Sequence, residues 1–472
     1  MLGLPLALSL AVGCAERDGT AYLEPGRDIQ AVVANAPAGT RFYFKPGIYR
    51  QQTIYPRDRQ EFIGQEGVIL SGAMVLTKWD QEGALWTTSG LPATLPSHGE
   101  CNRELCDLRE DLFVDGRLYE RVGSRDKLGP DRWYYEDGRA YLADSPVGQT
   151  VELSVTPTAF GGDAQAVVLR DLTVEKYASE AQFGAIDLRN ARGWVLSDLT
   201  VQWNHGIGLF IGPETQVDGG TFSHNGQMGM GGSGNGSTID GVEIAFNNYA
   251  GYKAGWEAGG TKFTRTDGLI VRNSCVHHNN GPGLWTDIDN INIVFEDNKV
   301  FSNANDGIKH EISYDAIIRD NIAVDNGWEH DVWLWGSQIL IQNSQNATVY
   351  GNFAEVSDEY GNGISVVHQD RADGAYGPWD SVNNEIHHNT VVYRGSRGMS
   401  GVVSDTGEDW FWAKGNNNFD WNTHVAVGQA ARNWAFNDAD RTWSDVQDLG
   451  HEPNGQLLLE RRAPTKVTCG AG

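Results

Sequence analysis

The chain has 472 residues, room for two or three average domains or for one elongated one. Its 36 Lys and Arg against 62 Asp and Glu give a formal net charge of −26. That surface repels nucleic acid and anionic lipid, and also a polyanionic polysaccharide unless a cation or a local basic patch intervenes.

The first residues, "MLGLPLALSLAVGCAERDGT", read as an export signal, because the apolar run Leu2 to Val12 is too short to span a bilayer. The run ends in Ala11-Val12-Gly13-Cys14, which resembles the cleavage and lipidation site of bacterial lipoproteins, with Cys14 as the lipidated residue. No Lys or Arg precedes the run, and Ala11 stands where Leu is usual, so a plain secretory signal is the alternative. Residues 1–14 are assigned to this signal. The mature protein is expected outside the cytoplasm, touching a membrane only through a lipid anchor.

Next comes "DIQAVVANAPAGTRFYFKPGIYR" (28–50), a short helical stretch followed by a strand and a Pro-Gly-x-Tyr turn. Residues 77–160 hold "LFVDGRLYERV" and "DRWYYEDGRAYLAD", whose Asp-Gly pairs predict hairpins and mark a β-rich insertion. Cys101 and Cys106, in a polar loop there, suit a small disulfide in an oxidising compartment. Cys275 reads as a packed strand residue and Cys469 has no assigned partner.

From about residue 164 the chain repeats: "NHGIGL", "NGQMGM", "NNYAGY", "NNGPGL", "NANDGI", "EYGNGI". Glycines 208, 229, 251, 283 and 307 and asparagines 273, 298, 321 and 352 recur at intervals in the twenties and low thirties. Between them lies short alternating β pattern, which predicts a solenoid of parallel strands stacked at about 4.8 Å. The asparagines are read as structural, hydrogen-bonding one another from turn to turn. Residues 402–472 lose the period and are read as an irregular C-terminal cap.

The 28–50 segment and the repeats resemble right-handed parallel β-helix proteins of the pectin-lyase-like superfamily, over about residues 20 to 400. The resemblance implies an all-β, single-stranded, right-handed parallel β-helix at 20–401, capped by an N-terminal helix. It does not identify a reaction, since that superfamily holds lyases, hydrolases, epimerases, esterases and adhesins.

In "GPGLWTDIDNINIVFEDNKVFSNANDGIKHEIS" (281–313), alternation puts Leu284 and Ile288 inward and Trp285, Asp287 and Asp289 outward. In the next rung Ile308 and Ile312 point inward, and Lys309, Glu311 and Ser313 outward. Aligning on the glycines stacks Glu311 on Asp287. Aligning on the later asparagines instead stacks His310 on Asp287, with Lys262 one rung earlier. The two anchors differ by one residue, so a bulge is expected. Stacked carboxyls favour a shared proton, which suits acid–base work. Asp287, Glu311, His310 and Lys262 are therefore the candidate catalytic residues. Trp285, Trp256, Glu257, Asp289, His368 and Trp333 are the candidate substrate contacts, with His330, Asp331, Trp335 and Asp370 secondary to them. His277 and His278 are expected to face solvent.

Three functions follow. The first is a carbohydrate-active enzyme hydrolysing glycosidic bonds in a polysaccharide, monomeric and needing no cofactor. The second is a β-eliminating lyase in which Asp287, Asp289 and Glu311 hold Ca²⁺ against a uronate, although no arginine is convincingly placed on these rungs. The third is a non-catalytic glycan-binding or structural β-helix.

Overall fold

A computed structural model describes residues 19–94, 98–330, 332–407, 409–427, 433–460 and 462–470. The export signal with Cys14, and Asp331, lie outside the described residues. Among those residues, three long sheets of 13, 13 and 11 strands run the length of a coil. Each turn of the coil contributes one short strand to each sheet, paired in parallel with the equivalent strands before and after. A core of Leu, Ile, Val, Phe and Ala fills the interior, from Leu23 and Ile29 at one end to Phe436 and Val446 at the other.

The N-terminal helix Ile29–Asn35 closes the first rung, started by Asp28, whose side chain accepts from the Ala31 amide. The insertion forms a separate eight-stranded sheet spanning Ala73–Val75 to Val151–Ser154. Its Asp-Gly turns join Leu112–Val114 to Arg117–Arg121 and Arg132–Glu136 to Arg139–Leu142 as antiparallel pairs. Buried His205 ties it to the coil, one ring nitrogen 2.9 Å from Asp111 Oδ2 and the other 2.9 Å from the Cys106 carbonyl.

The repeated asparagines are ladders. Asn204, Asn225, Asn247, Asn279, Asn303 and Asn326 each pass a side-chain hydrogen bond to the next, at 2.8–3.1 Å, ending on Gln338. The glycines serve the ladders. A Cβ on Gly208, Gly229, Gly283 or Gly307 would sit 2.7–2.8 Å from the amide nitrogen of the next rung's asparagine. The register glycine between Gly229 and Gly283 is Gly260, not Gly251, because Met230 pairs with Thr261. The helix Ala254–Glu257, inserted before that strand, displaced the spacing. In the second ladder Ser274, not Asn273, precedes Asn298, and Asn273 turns outward to Asp240.

Two further expectations are corrected. The coil does not stop at residue 401. Strands Ser400–Ser404, Asn418–Asp420, Thr423–Ala426, Trp434–Phe436 and Gln456–Leu459 continue all three sheets, with long loops between them hiding the period. Cys275 is not merely packed: it is disulfide-bonded to Cys469, as Cys101 is to Cys106.

Candidate functional site

The register follows the glycines through the decisive rungs. Leu284–Asp287 pairs with Ile308–Glu311 as Leu284↔Ile308, Trp285↔Lys309, Thr286↔His310 and Asp287↔Glu311. The extra residue falls just after Asp287, where Ile288 and Asp289 both adopt positive φ. The turn thereby absorbs the bulge without disturbing the strands. It also keeps Ile288 from continuing the inward row.

On the outer face of the third sheet this register builds a mixed-charge cluster. Lys262 Nζ lies 2.9 Å from Asp287 Oδ2, and Lys309 Nζ 2.7 Å from Glu311 Oε2. The Trp285 indole N–H donates to Glu311 Oε2 at 3.1 Å. Arg371 Nη2 stands 3.8 Å from Glu311 Oε1 and is the most solvent-open member, with 41% of its side chain exposed against 10% for Asp287 and Glu311. Asp306, buried beside them, accepts from the Ser337 amide at 2.8 Å. One oxygen of Asp287, Oδ1, is buried and has no hydrogen-bond donor among the described residues.

The two stacked carboxyls are driven apart. Burial raises the pKa of Asp287, and the nearby charge of Glu311 raises it further, against the pull of Lys262 and Lys309. Burial also acts to raise Glu311, but Lys309, with its hydrogen bond, together with Arg371 and Lys262 outweighs it, so Glu311 is held below the ordinary range. Lys309 resists the burial that would discharge it, because Glu311, Asp306 and Asp287 surround it, and its pKa is raised. Of the two carboxyls, Glu311 is therefore the one that gives up its proton at the lower pH.

Other predicted residues sit elsewhere. His310 points into the coil, where its ring meets Thr286 Oγ1 at 2.8 Å and the Tyr314 carbonyl at 3.2 Å; burial lowers its pKa to about 4. It is a neutral core histidine on the opposite side of the strand from the carboxyls. Trp285 is 2% exposed, and the ammoniums of Lys262 and Lys309 lie 4.3 and 4.8 Å from its ring centroid. Its face is occupied by cations from the rungs on either side, so it offers a sugar no platform.

Asp289 has turned away to hold the 373–379 loop, accepting from the Ala375 amide and the Trp379 indole N–H. Glu257 accepts from Gln182, and Trp256 stacks on Tyr252, its carbonyl reaching Lys262 at 3.4 Å. His368 is buried against Phe411, at 4.6 Å between ring centroids. Trp333 is exposed and makes no contact with the cluster; Trp335, two residues on, stands 6.0 Å from Lys309. His277 does not face solvent: it is buried, stacked on Phe301 and bonded to Glu243.

Lys309, Asp306 and Arg371 were not predicted site residues. Lys309 was legible as an outward position beside Glu311. Arg371 lies in a long connection after Asn362–His368, whose path back to the cluster no spacing rule gives.

The donor set does not fit Ca²⁺. Asp289 is committed to the loop, and Asp287 and Glu311 each already hold an ammonium, leaving a divalent ion facing two lysines.

Residues 184–354 match the family model described as "Right handed beta helix region". XylC in complex with xylose superposes with a TM-score of 0.69 at 13% identity, over 93% of this chain and 84% of that one. The fold is the right-handed parallel β-helix. The A-module of the Azotobacter vinelandii mannuronan C-5 epimerase AlgE6 (TM-score 0.43, 12% identity, 93% and 95% covered) is more distant. So is the periplasmic alginate epimerase AlgG (0.42, 11%, 93% and 82%). A search of curated proteins returns no match. No helix among the described residues is long and apolar enough to cross a membrane.

Proposed function

We propose that the protein is an exported carbohydrate-active enzyme that hydrolyses glycosidic bonds, with Asp287 and Glu311 as its reacting carboxyls. The observation that carries this reading is the stacking of the two carboxyls on adjacent strands with pKa values pushed in opposite directions. Neighbouring strands lie about 4.8 Å apart, close to the short carboxyl separation of about 5–5.5 Å that suits a retaining route. The protonated carboxyl gives its proton to the departing glycosidic oxygen while the ionised one attacks the anomeric carbon. The first then takes a proton from water, which displaces the enzyme carboxylate and frees the sugar. Lys309 and Arg371 keep the attacking group ionised, and Lys262 orients its partner.

The charge of −26 favours a neutral glycan over a uronate polymer. Hydrolysis is favoured over β-elimination because each lysine already lies within hydrogen-bond distance of a carboxyl group of the pair, so neither stands free to take a substrate proton. XylC with bound xylose makes pentose oligomers the first substrates to try.

The test incubates the protein with xylo-, cello- and manno-oligosaccharides and with uronate polymers, with and without EDTA. Reducing-end release insensitive to EDTA, and reduced about 10²–10⁴-fold in Asp287→Asn and in Glu311→Gln, is the expected result. Ultraviolet absorbance of an unsaturated uronate would establish elimination instead. Silence across the panel would leave a binding or structural β-helix. A slow fluoro-sugar substrate should leave its covalent label on Glu311; a label on Asp287 would exchange the two roles.

A further inference from the structure

The two oxygens of Glu311 have different surroundings. Its close contacts, to Lys309 Nζ and to the Trp285 indole N–H, both fall on Oε2. Oε1 instead faces Arg371, whose Nη2 stands 3.8 Å away, beyond hydrogen-bond reach. Oε1 is therefore the oxygen left to react, and Arg371 is the group beside it.

Arg371 is held from behind. Its Nη2 donates to Gln369 Oε1 at 2.8 Å, its one hydrogen bond among the described residues. Gln369 is fixed in turn. Its Oε1 also accepts from Gln342 Nε2 at 2.9 Å, and its own Nε2 donates to Asp405 Oδ2 at 2.7 Å. Asn343 brackets its backbone, accepting from the amide at 3.1 Å and donating to the carbonyl at 2.6 Å. Gln342 is the strand residue paired with Glu311 on the next rung, so the sheet that positions the carboxyl also positions the arginine. A guanidinium carries five N–H donors, and most of those on Arg371 are unused on a side chain that is 41% exposed. Four residues thus hold an open set of donors at the mouth of the site.

If Glu311 Oε1 attacks the anomeric carbon, two substrate oxygens come nearest to Arg371. The ring oxygen gains positive charge in the oxocarbenium-like transition state, and a cation beside it would oppose that change. The hydroxyl on the adjacent carbon accepts readily from a cation, and bonds to it strengthen in the transition state. A substrate carboxylate fits less well, because Glu311 already sets a negative charge against the same guanidinium.

We propose that Arg371 is a specificity-determining residue that donates to the hydroxyl next to the anomeric carbon, and that Gln369 positions it. The proposal rests on the glycosidase reading for its ligand, and it makes the enzyme select against 2-deoxy sugars.

The test uses aryl glycosides of xylo- and cello-oligosaccharides, in both anomers, with the 2-hydroxyl of the ring that carries the aryl group either present or replaced by hydrogen. The quantity read is the ratio of kcat/KM for each matched pair. A changed charge beside Glu311 slows both members alike and cancels in that ratio. Arg371→Met should lower the preference for the hydroxylated member by roughly 10- to 100-fold, the loss of one hydrogen bond from a charged donor. Gln369→Leu, which keeps the arginine, should lower it in the same direction by less, whereas a merely structural role would slow both members equally. An unchanged ratio in Arg371→Met overturns the proposal and leaves the glycosidase reading standing. Loss confined to a glucuronide would assign the arginine to a carboxylate and overturn it too. If no glycoside is turned over, calorimetric titration of the same pairs reads the preference in Kd. An arginine-dependent preference there keeps the contact while the hydrolytic reading falls; no preference, or no binding, overturns the contact as well.

Discussion

Lys309 makes the largest charge contribution that holds Glu311 below the ordinary carboxylate range, so on the proposed mechanism it is the residue through which pH reaches the site. If Glu311 is the attacking group, as proposed, it must be ionised, so activity should fall as pH drops through its pKa, which Lys309 holds below the ordinary range. On the same proposal Asp287 must be protonated to donate, so activity should fall again as pH rises through its own raised pKa. The profile of kcat/KM is therefore a bell, with its acid limb set largely by Lys309. Lys309→Met removes the charge and the hydrogen bond but keeps the packing stem, and it should move the acid limb to higher pH. An unmoved limb in a folded variant would show that Glu311 is not the ionised partner. At this scale the sequence was half legible. Alternation put Trp285, Asp287, Lys309 and Glu311 outward, and the glycine spacing stacked the right pair. The cations that cover Trp285, and the turn that withdraws Asp289, depend on packing across three rungs and leave no local pattern.

A single rung is stabilised by an exchange between two residue types. Asparagine carries the turn's buried hydrogen bonds, and glycine makes room for it from the rung before. Asn279 accepts from the Asn247 amide nitrogens, side chain and backbone, and donates to the Ile244 carbonyl and to Asn303. Asn279→Ala strands several buried groups at once, and each costs roughly 1–3 kcal/mol. Gly283→Ala would place a methyl 2.6 Å from the Gly307 carbonyl and 2.8 Å from the Asn303 side chain, so the rungs must part to admit it. Denaturant unfolding should show both variants less stable, by about 2 kcal/mol or more. Stability close to the parent in either would mean that the ladder is dispensable. The Asn-Gly period made the solenoid readable from sequence, because a stacked amide needs the same residue at the same turn of every rung. It misled at Gly251, and it vanished after residue 401, wherever a loop between strands was long enough to change the interval while the strands themselves kept pairing.

The molecule as a whole is quasi-one-dimensional: each rung touches mainly its neighbours, so little long-range connection opposes separation of its ends. Two tethers act across that length. The insertion docks through His205, and the C-terminal segment runs back along the outside of the second sheet. There the backbone carbonyl of Thr468 accepts from Lys299, and Thr465 bonds Glu355. Cys275–Cys469 locks this segment to a strand 194 residues earlier in the chain. A cross-link closing so long a loop restricts the unfolded chain far more than it restrains the folded one, and its loss costs about 2–5 kcal/mol. The double variant Cys275→Ser, Cys469→Ser should therefore melt several degrees lower than the parent, with the Cys101–Cys106 disulfide intact. Because the segment lies on the second sheet and the carboxyl pair on the third, turnover well below the melting temperature should be unchanged. A lowered kcat in the folded variant would mean that the tail reaches the site through the coil. An unchanged melting temperature would mean that the rungs unfold independently of their covalent tether, as a chain of nearest-neighbour contacts can do when its end rungs fray first.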